Sequence, residues 1–155
     1  MCCAMTDNNP LIEAARAAAT HAHAPYSGFG VGAALLLEGG AIVTGCNFEN
    51  ASYGLALCAE TVAIATLNAS GRIADIREVA VIGGILASGK ITGSAPIRPC
   101  GRCRQVLNEA AQLAHCDLVI HCASADGSVV ERHLLSELLP FAFGPADLGF
   151  ARGQT

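Results

Sequence analysis

Three cysteines and one glutamate have the types and spacing that metal-assisted hydrolysis needs. Cys100 and Cys103 lie in Pro99-Cys100-Gly101-Arg102-Cys103. A Cys-x-x-Cys pair lets two thiolates grip one zinc ion from a turn that enters a helix. Two other readings share that spacing. A thioredoxin-like redox pair is one, although it expects an early place in a βαβ unit and this pair comes late; chance among eight cysteines is the other. Cys58, in Cys58-Ala59-Glu60 at the start of another predicted helix, adds a third thiolate. Three protein ligands in a catalytic site leave the fourth position for water. Glu60 is too hard an oxygen donor to be needed beside three thiolates, and it is placed to take a proton from such a water. The plainer alternative is a solvated glutamate that stabilises a helix N-terminus by roughly a few tenths of a kcal/mol. Asn47 and Glu49 are two apart on an extended segment, so their side chains face one side. Taken alone, they would be a polar strand end capping a hairpin.

The elements that must position these residues follow from local patterns. Asn9-Pro10 is an N-cap followed by proline at the first helical position, and the alanine-rich stretch from Leu11 to His23 reads as a helix stopped by Pro25. Phe29 to Leu37 and Ala41 to Phe48 flank Glu38-Gly39-Gly40 as a hairpin. A second, mostly buried helix spans Ala56 to Ala69, with Gly71 at its C-cap. Ile76 to Ile85 is a continuous β-branched run, hence a buried central strand. Ala87 to Arg98 is punctuated by Gly, Ser and Pro and reads as a loop. Cys100 to Leu113 is predicted helical, Asp117 to Ala123 a strand, and Asp126-Gly127 a turn into a strand over Val129 to Arg132. A short helix over Leu134 to Leu139 precedes Pro140 and a loose tail. The order α-β-β-α-β-α-β-β-α, with continuous apolar strands, predicts an α/β fold in which helices cover both faces of a mixed five-stranded sheet.

Composition bounds the function. The chain has 155 residues, 52% hydrophobic and 14% charged, so it folds rather than staying disordered, as one domain over 1–155 with flexible tails at 1–8 and 149–155. Nine basic residues, Lys90 the single lysine among them, stand against thirteen acidic ones, which argues against a nucleic-acid groove. No apolar run approaches the roughly 20 residues that span a bilayer, and residues 1–7 lack the pattern of a secretory signal. A cytoplasmic, reducing location is expected, where clustered thiols serve metal ligation better than disulfides. His21, His23, His115, Cys116, His121 and Cys122 read as structural, and Cys2-Cys3 as part of a tail.

Cys58-Ala59-Glu60 followed by Pro99-Cys100-x-x-Cys103 resembles the zinc nucleoside and nucleobase deaminases. Within that group the chain resembles the short, homotetrameric cytidine deaminases from residue 24 to 148. The matching stretches are Ala24-Pro25-Tyr26-Ser27, Phe29, Val31 to Leu35, Thr44 to Gly54, Pro99 to Leu107 and Leu138 to Pro145. The resemblance implies a three-layer α/β/α fold and one Zn²⁺ per subunit on Cys58, Cys100 and Cys103. It implies a nucleoside substrate whose C4 is attacked by zinc-activated water while Glu60 carries protons to N3 and to the leaving amine. It assigns Asn47 and Glu49 to the ribose hydroxyls, a role that suits an amide and a carboxylate, and a buried carboxylate would repel phosphate. Phe29 is placed against sugar and base, and the backbone of Ala59 and Arg98 against the base's edge. Tyr53 and Phe143 come from adjacent subunits, Phe143 stacking on the pyrimidine.

One departure stands out. Many three-cysteine relatives carry arginine directly after the catalytic glutamate, where this chain has Thr61. Three thiolates on Zn²⁺ leave a formal charge of −1, which weakens the metal as a Lewis acid. Two helix N-termini, each equivalent to roughly +0.5 charge, with Arg102 or Arg104, are expected to compensate. Arg104 as a surface residue of the helix's first turn is the alternative. Three rival functions remain at this level: a deaminase of a modified cytosine nucleoside, a structural zinc module with Cys46 as fourth thiolate, and a polynucleotide deaminase.

Overall fold

Asn9 Oδ1 accepts the Leu11 N–H at 3.0 Å and Pro10 follows, so α1 (Pro10–Ala19) begins where its caps dictate. The computed structural model describes residues 9–150. The helix ends four residues before the predicted His23. The main chain of His23 is needed elsewhere: its N–H donates to Asn47 O and its carbonyl accepts from Glu49 N, a pairing no helical residue could make.

Strands β1 (Phe29–Leu37) and β2 (Ile42–Cys46) form the expected hairpin; α2 (Ala59–Ala69), β3 (Ile76–Ala87), α3 (Gly101–Leu113), β5 (Val119–Ser124), β6 (Val130–Leu134) and α4 (Leu135–Leu138) follow. The sheet runs β2-β1-β3-β5-β6, with β3 and β5 parallel and the other neighbours antiparallel. A sixth strand, β4 (Lys90–Thr92), lies inside the segment expected to be loop and pairs with the end of β3. Ser88 and Gly89 both take positive φ, 50° and 72°, which closes a two-residue hairpin from Ala87 to Lys90. The five-stranded expectation missed this because the turn was read as the start of an open loop.

Each central strand buries both faces, which is why its apolar run does not alternate with polar residues. Ala33, Leu35, Val79 and Val81 face one core with Ala63 and Leu67 of α2 and Leu107 and Ala110 of α3. The intervening Ala34, Ala80 and Ile82 face the other, with Leu11, Ile12 and Ala15 of α1. These are the three layers. The C-terminal stretch is less loose than expected: Pro145–Leu148 form a 3-10 turn, and Gly149 and Phe150 donate to Ala146 O and Pro145 O. The remaining tail residues, 1–8 with Cys2 and Cys3 and 151–155, lie outside the described ones.

Candidate active site

Two helix starts converge. Cys58 is the N-cap of α2 and Cys100 the N-cap of α3. Their sulfurs are 3.9 Å apart, and those of Cys58, Cys100 and Cys103 all lie within 4.8 Å of one another. Tetrahedral zinc holds sulfurs at about 2.3 Å, which sets neighbouring sulfurs roughly 3.8 Å apart, so these residues fit the ion. Cys46 is not part of the group, so a closed four-thiolate site does not form among the described residues.

The electrostatics also call for a cation. Burial pushes the Cys58 thiol up, aided by the charges of Cys100 and Glu60, with a hydrogen bond from Cys103 opposing. Cys103, fully buried, is pushed up much further by burial and then by Glu60. Cys100 alone falls below its ordinary value: burial raises it, but hydrogen bonds from the Cys103 N–H and the two neighbouring thiols outweigh that. Three mutually repelling sulfurs are anionic together only around a positive ion.

Glu60 is 4% exposed, and burial raises its carboxyl despite hydrogen bonds from its own N–H and from Cys103. Burial that penalises the ionised form makes this carboxyl hold a proton more readily than an exposed one, which suits a group that must both take and give protons. Its position depends on Gly45, which the sequence reading did not single out. A Cβ at Gly45 would stand 2.5 Å from Ala63 N and 2.6 Å from Ala59 O, so only glycine lets α2 lie directly on β2. An isolated glycine inside a predicted strand was the available signal.

Residues 47–49 run between two neighbours. Phe48 exchanges N–H···O bonds with Leu57, the residue before Cys58, while Asn47 and Glu49 bond the main chain of His23. That antiparallel bridge sets residues 47–49 along the segment that leads into Cys58. Glu49 Oε2 accepts from Tyr26 N at 2.9 Å and Ser27 N at 3.2 Å. Asn47 Oδ1 accepts from Val31 N at 2.7 Å, and its Nδ2 donates to Phe29 O at 2.9 Å. Asn47 thus braces the strand carrying Phe29. Glu49 is half-buried rather than buried, which corrects the expectation above; hydrogen bonds from Ser27 and Tyr26, not desolvation, dominate and hold its carboxyl below the ordinary range.

A concavity of about 360 Å³ opens beside Glu49, lined by Tyr26, Ser27, Asn50, Tyr53 and Ala56. Tyr26 and Tyr53 meet edge-on at 5.6 Å. A larger one, about 480 Å³, lies at the far end of α3 around Gln112, His115 and Asp117 and contains none of the metal-binding thiols. Tyr53 is 74% and Phe143 57% exposed, so neither is the core aromatic it would otherwise be. The Phe143 carbonyl is tied to α3 by Gln105 and Asn108.

The expected arginine compensation is not what the geometry displays. Arg104 donates to Pro99 O and Leu138 O, both at 2.8 Å, bracing the turn rather than the sulfurs. Arg102 is exposed and has no side-chain hydrogen bond among the described residues. The group that does reach a sulfur is Thr61, whose Oγ1 lies 3.7 Å from Cys103 Sγ. Of the remaining candidates, Cys122 is buried in the core and His121 Nε2 pairs with Glu78 at 2.7 Å.

Comparison with known proteins agrees with this geometry. Residues 5–118 match the family described as the cytidine and deoxycytidylate deaminase zinc-binding region. A cytidine deaminase of Halalkalibacterium halodurans is 41% identical over 142 residues, 92% of this chain and 98% of that protein. One of Mycobacterium tuberculosis is 43% identical over 143 residues, 92% and 93% of the two chains. The crystal structure of a cytidine deaminase from Burkholderia pseudomallei superposes with a TM-score of 0.74 at 42% identity, covering 86% of this chain and 96% of that one.

Proposed function

The chain belongs to the zinc-dependent cytidine and deoxycytidylate deaminase family, and from that premise we propose that it hydrolyses cytidine and 2′-deoxycytidine to uridine and 2′-deoxyuridine with release of ammonia, as a step of pyrimidine salvage. Zinc, when bound, supplies Lewis acidity that brings the pKa of a water in its open position down toward about 7. Glu60 takes a proton from the attacking water and gives it to N3 as oxygen adds to C4. It then moves the second water proton to the exocyclic amine, the C4–N bond breaks, and ammonia leaves. An amidine-like C4 is a poor electrophile unless N3 is protonated as attack occurs, so the proton carrier and the nucleophile must share one site. The single observation carrying this reading is a buried carboxyl one turn-position from a three-thiol group with no fourth protein donor among the described residues.

The other contacts are assigned on the family resemblance. Asn47 and Glu49 receive the ribose hydroxyls, Phe29 packs on sugar and base, and the Ala59 N–H, first in α2 and uncapped, meets the base's edge beside the backbone of Arg98. A second subunit supplies Tyr53 and Phe143, whose exposure on one chain supports a homotetramer. Glu49, anionic and half-exposed, favours an uncharged nucleoside over a nucleotide or polynucleotide. No helix among the described residues is long and apolar enough to cross a membrane. A cytoplasmic location is proposed because clustered thiols that must ligate a metal suit a reducing compartment. A modified cytosine nucleoside remains the rival substrate, sharing the same chemistry.

The test is an ultraviolet assay on cytidine, deoxycytidine and their 5′-phosphates, run beside Glu60→Gln with zinc content measured. Turnover of both nucleosides, weak use of the phosphates, and a loss of about 10²–10⁴-fold in the variant with zinc retained are expected. Equal turnover in Glu60→Gln would refute the proton-carrier role.

A further inference from the structure

Thr61 has a hydroxyl that its own helix does not use. Five residues on, Thr66 Oγ1 donates to Val62 O at 2.9 Å, the usual back-bond of a helical threonine. Thr61 Oγ1 instead faces the neighbouring helix, 3.7 Å from Cys103 Sγ, and this is its one side-chain hydrogen bond among the described residues. A sulfur that ligates a metal carries no proton, so in the loaded site it can only accept and the hydroxyl must donate. We propose that Thr61 is a positioning residue of the zinc centre, its Oγ1–H held on the Cys103 sulfur.

The three sulfurs differ in a way that singles out this contact. Cys100 is exposed and takes the Cys103 N–H; Cys58 is half-buried, within reach of solvent. Cys103 is completely buried, so water cannot replace a lost donor there. Neither nearby arginine fills the role, since Arg104 is bound to two main-chain carbonyls and Arg102 stands exposed. A hydroxyl on the buried thiolate withdraws electron density that would otherwise flow to the metal and fixes the direction of the sulfur lone pairs. It does so without placing a cation beside Glu60. The inference rests on the thiol ligand set of the reading above, but not on Glu60's role or on the substrate.

The test replaces zinc by Co²⁺ in the full chain and in Thr61→Val and Thr61→Ser, recording the sulfur-to-cobalt charge-transfer bands and the zinc affinity by chelator competition. Thr61→Val is expected to move the bands to longer wavelength and to weaken zinc about tenfold, while Thr61→Ser restores both. Thr61→Ala should reproduce the valine result, which guards against a packing fault in either variant. Bands and affinity unchanged in Thr61→Val and Thr61→Ala would overturn the proposal, as would a serine variant shifted as far as valine. Absence of thiolate bands in the unaltered protein overturns it together with the ligand set; loss of cytidine turnover with normal bands strikes only the function reading.

Discussion

The helix starts of this protein are finished in two different ways. At α1 an asparagine oxygen accepts the Leu11 N–H and proline removes another donor, so the end is satisfied by the chain itself. At α2 and α3 the cap position is cysteine, a residue type that caps poorly, and the two sulfurs are turned toward each other and toward Cys103. A stable helix does not gain from a thiol at its N-cap. Two such ends side by side, with a third thiol one turn into α3, make sense only if something bound there completes them. The contrast teaches that local stability has been given up where chemistry is done and kept where it is not.

The sharpest way to break this contrast is to remove the metal. Chelation is expected to abolish turnover and to cost about 4 kcal/mol of stability relative to protein in a thousandfold excess of free zinc over its Kd. Amide exchange should rise in the first turns of α2 and α3 while the start of α1 keeps its protection. Uniform loosening of all three would show that the thiol-capped ends have no special dependence on the ion. Gly45→Ala probes the same end without touching a ligand. The added methyl meets main-chain atoms of α2 at 2.5–2.6 Å that cannot yield without moving Glu60, so a loss of about 3 kcal/mol and a larger fall in kcat are expected from denaturant melts and assays.

How much of this was legible beforehand follows the same division. The thiol triad and Glu60 were readable because metal ligation restricts residue type and spacing far more tightly than packing does. The layers were readable from apolar runs, since Ala33 to Leu37 and Val79 to Ile82 carry no polar alternation. Features that depend on tertiary contact were not. The end of α1 at Ala19 is decided by His23 pairing with residues 24 and 26 positions on, and β4 by positive φ at Ser88, a residue with no strong preference for it. Arg104 looked like a thiolate donor because it is near in sequence; only the structure directs it to Pro99 and Leu138.

The capped side of the comparison makes smaller claims. Asn9→Ala should cost about 1 kcal/mol in melting experiments and leave kcat and KM unchanged, since it removes one acceptor from a helix far along the chain from any ligand. A change in kcat would mean that α1 is coupled to the site through the sheet.

Smallest is the effect expected at the β5–β6 turn, where Asp126 plays the part of a cap. Its Oδ1 accepts from Ser124 Oγ, Ser128 N and Ser128 Oγ at 2.7–2.9 Å, and these bonds, those of Ser128 foremost, lower its pKa from 3.8 to about 2. Glu60, at the other end, is shifted the opposite way by burial. A depressed carboxyl binds its proton first in the unfolded chain as pH falls. Its contribution is therefore complete above about pH 4 and is lost as pH drops through about 2. Asp126→Asn keeps the acceptor oxygen and loses the titration, so its stability should fall less steeply than that of the unaltered protein between pH 4 and pH 2. Parallel curves in acid denaturation would mean that the turn is held by the hydrogen bonds alone and that the charge adds nothing.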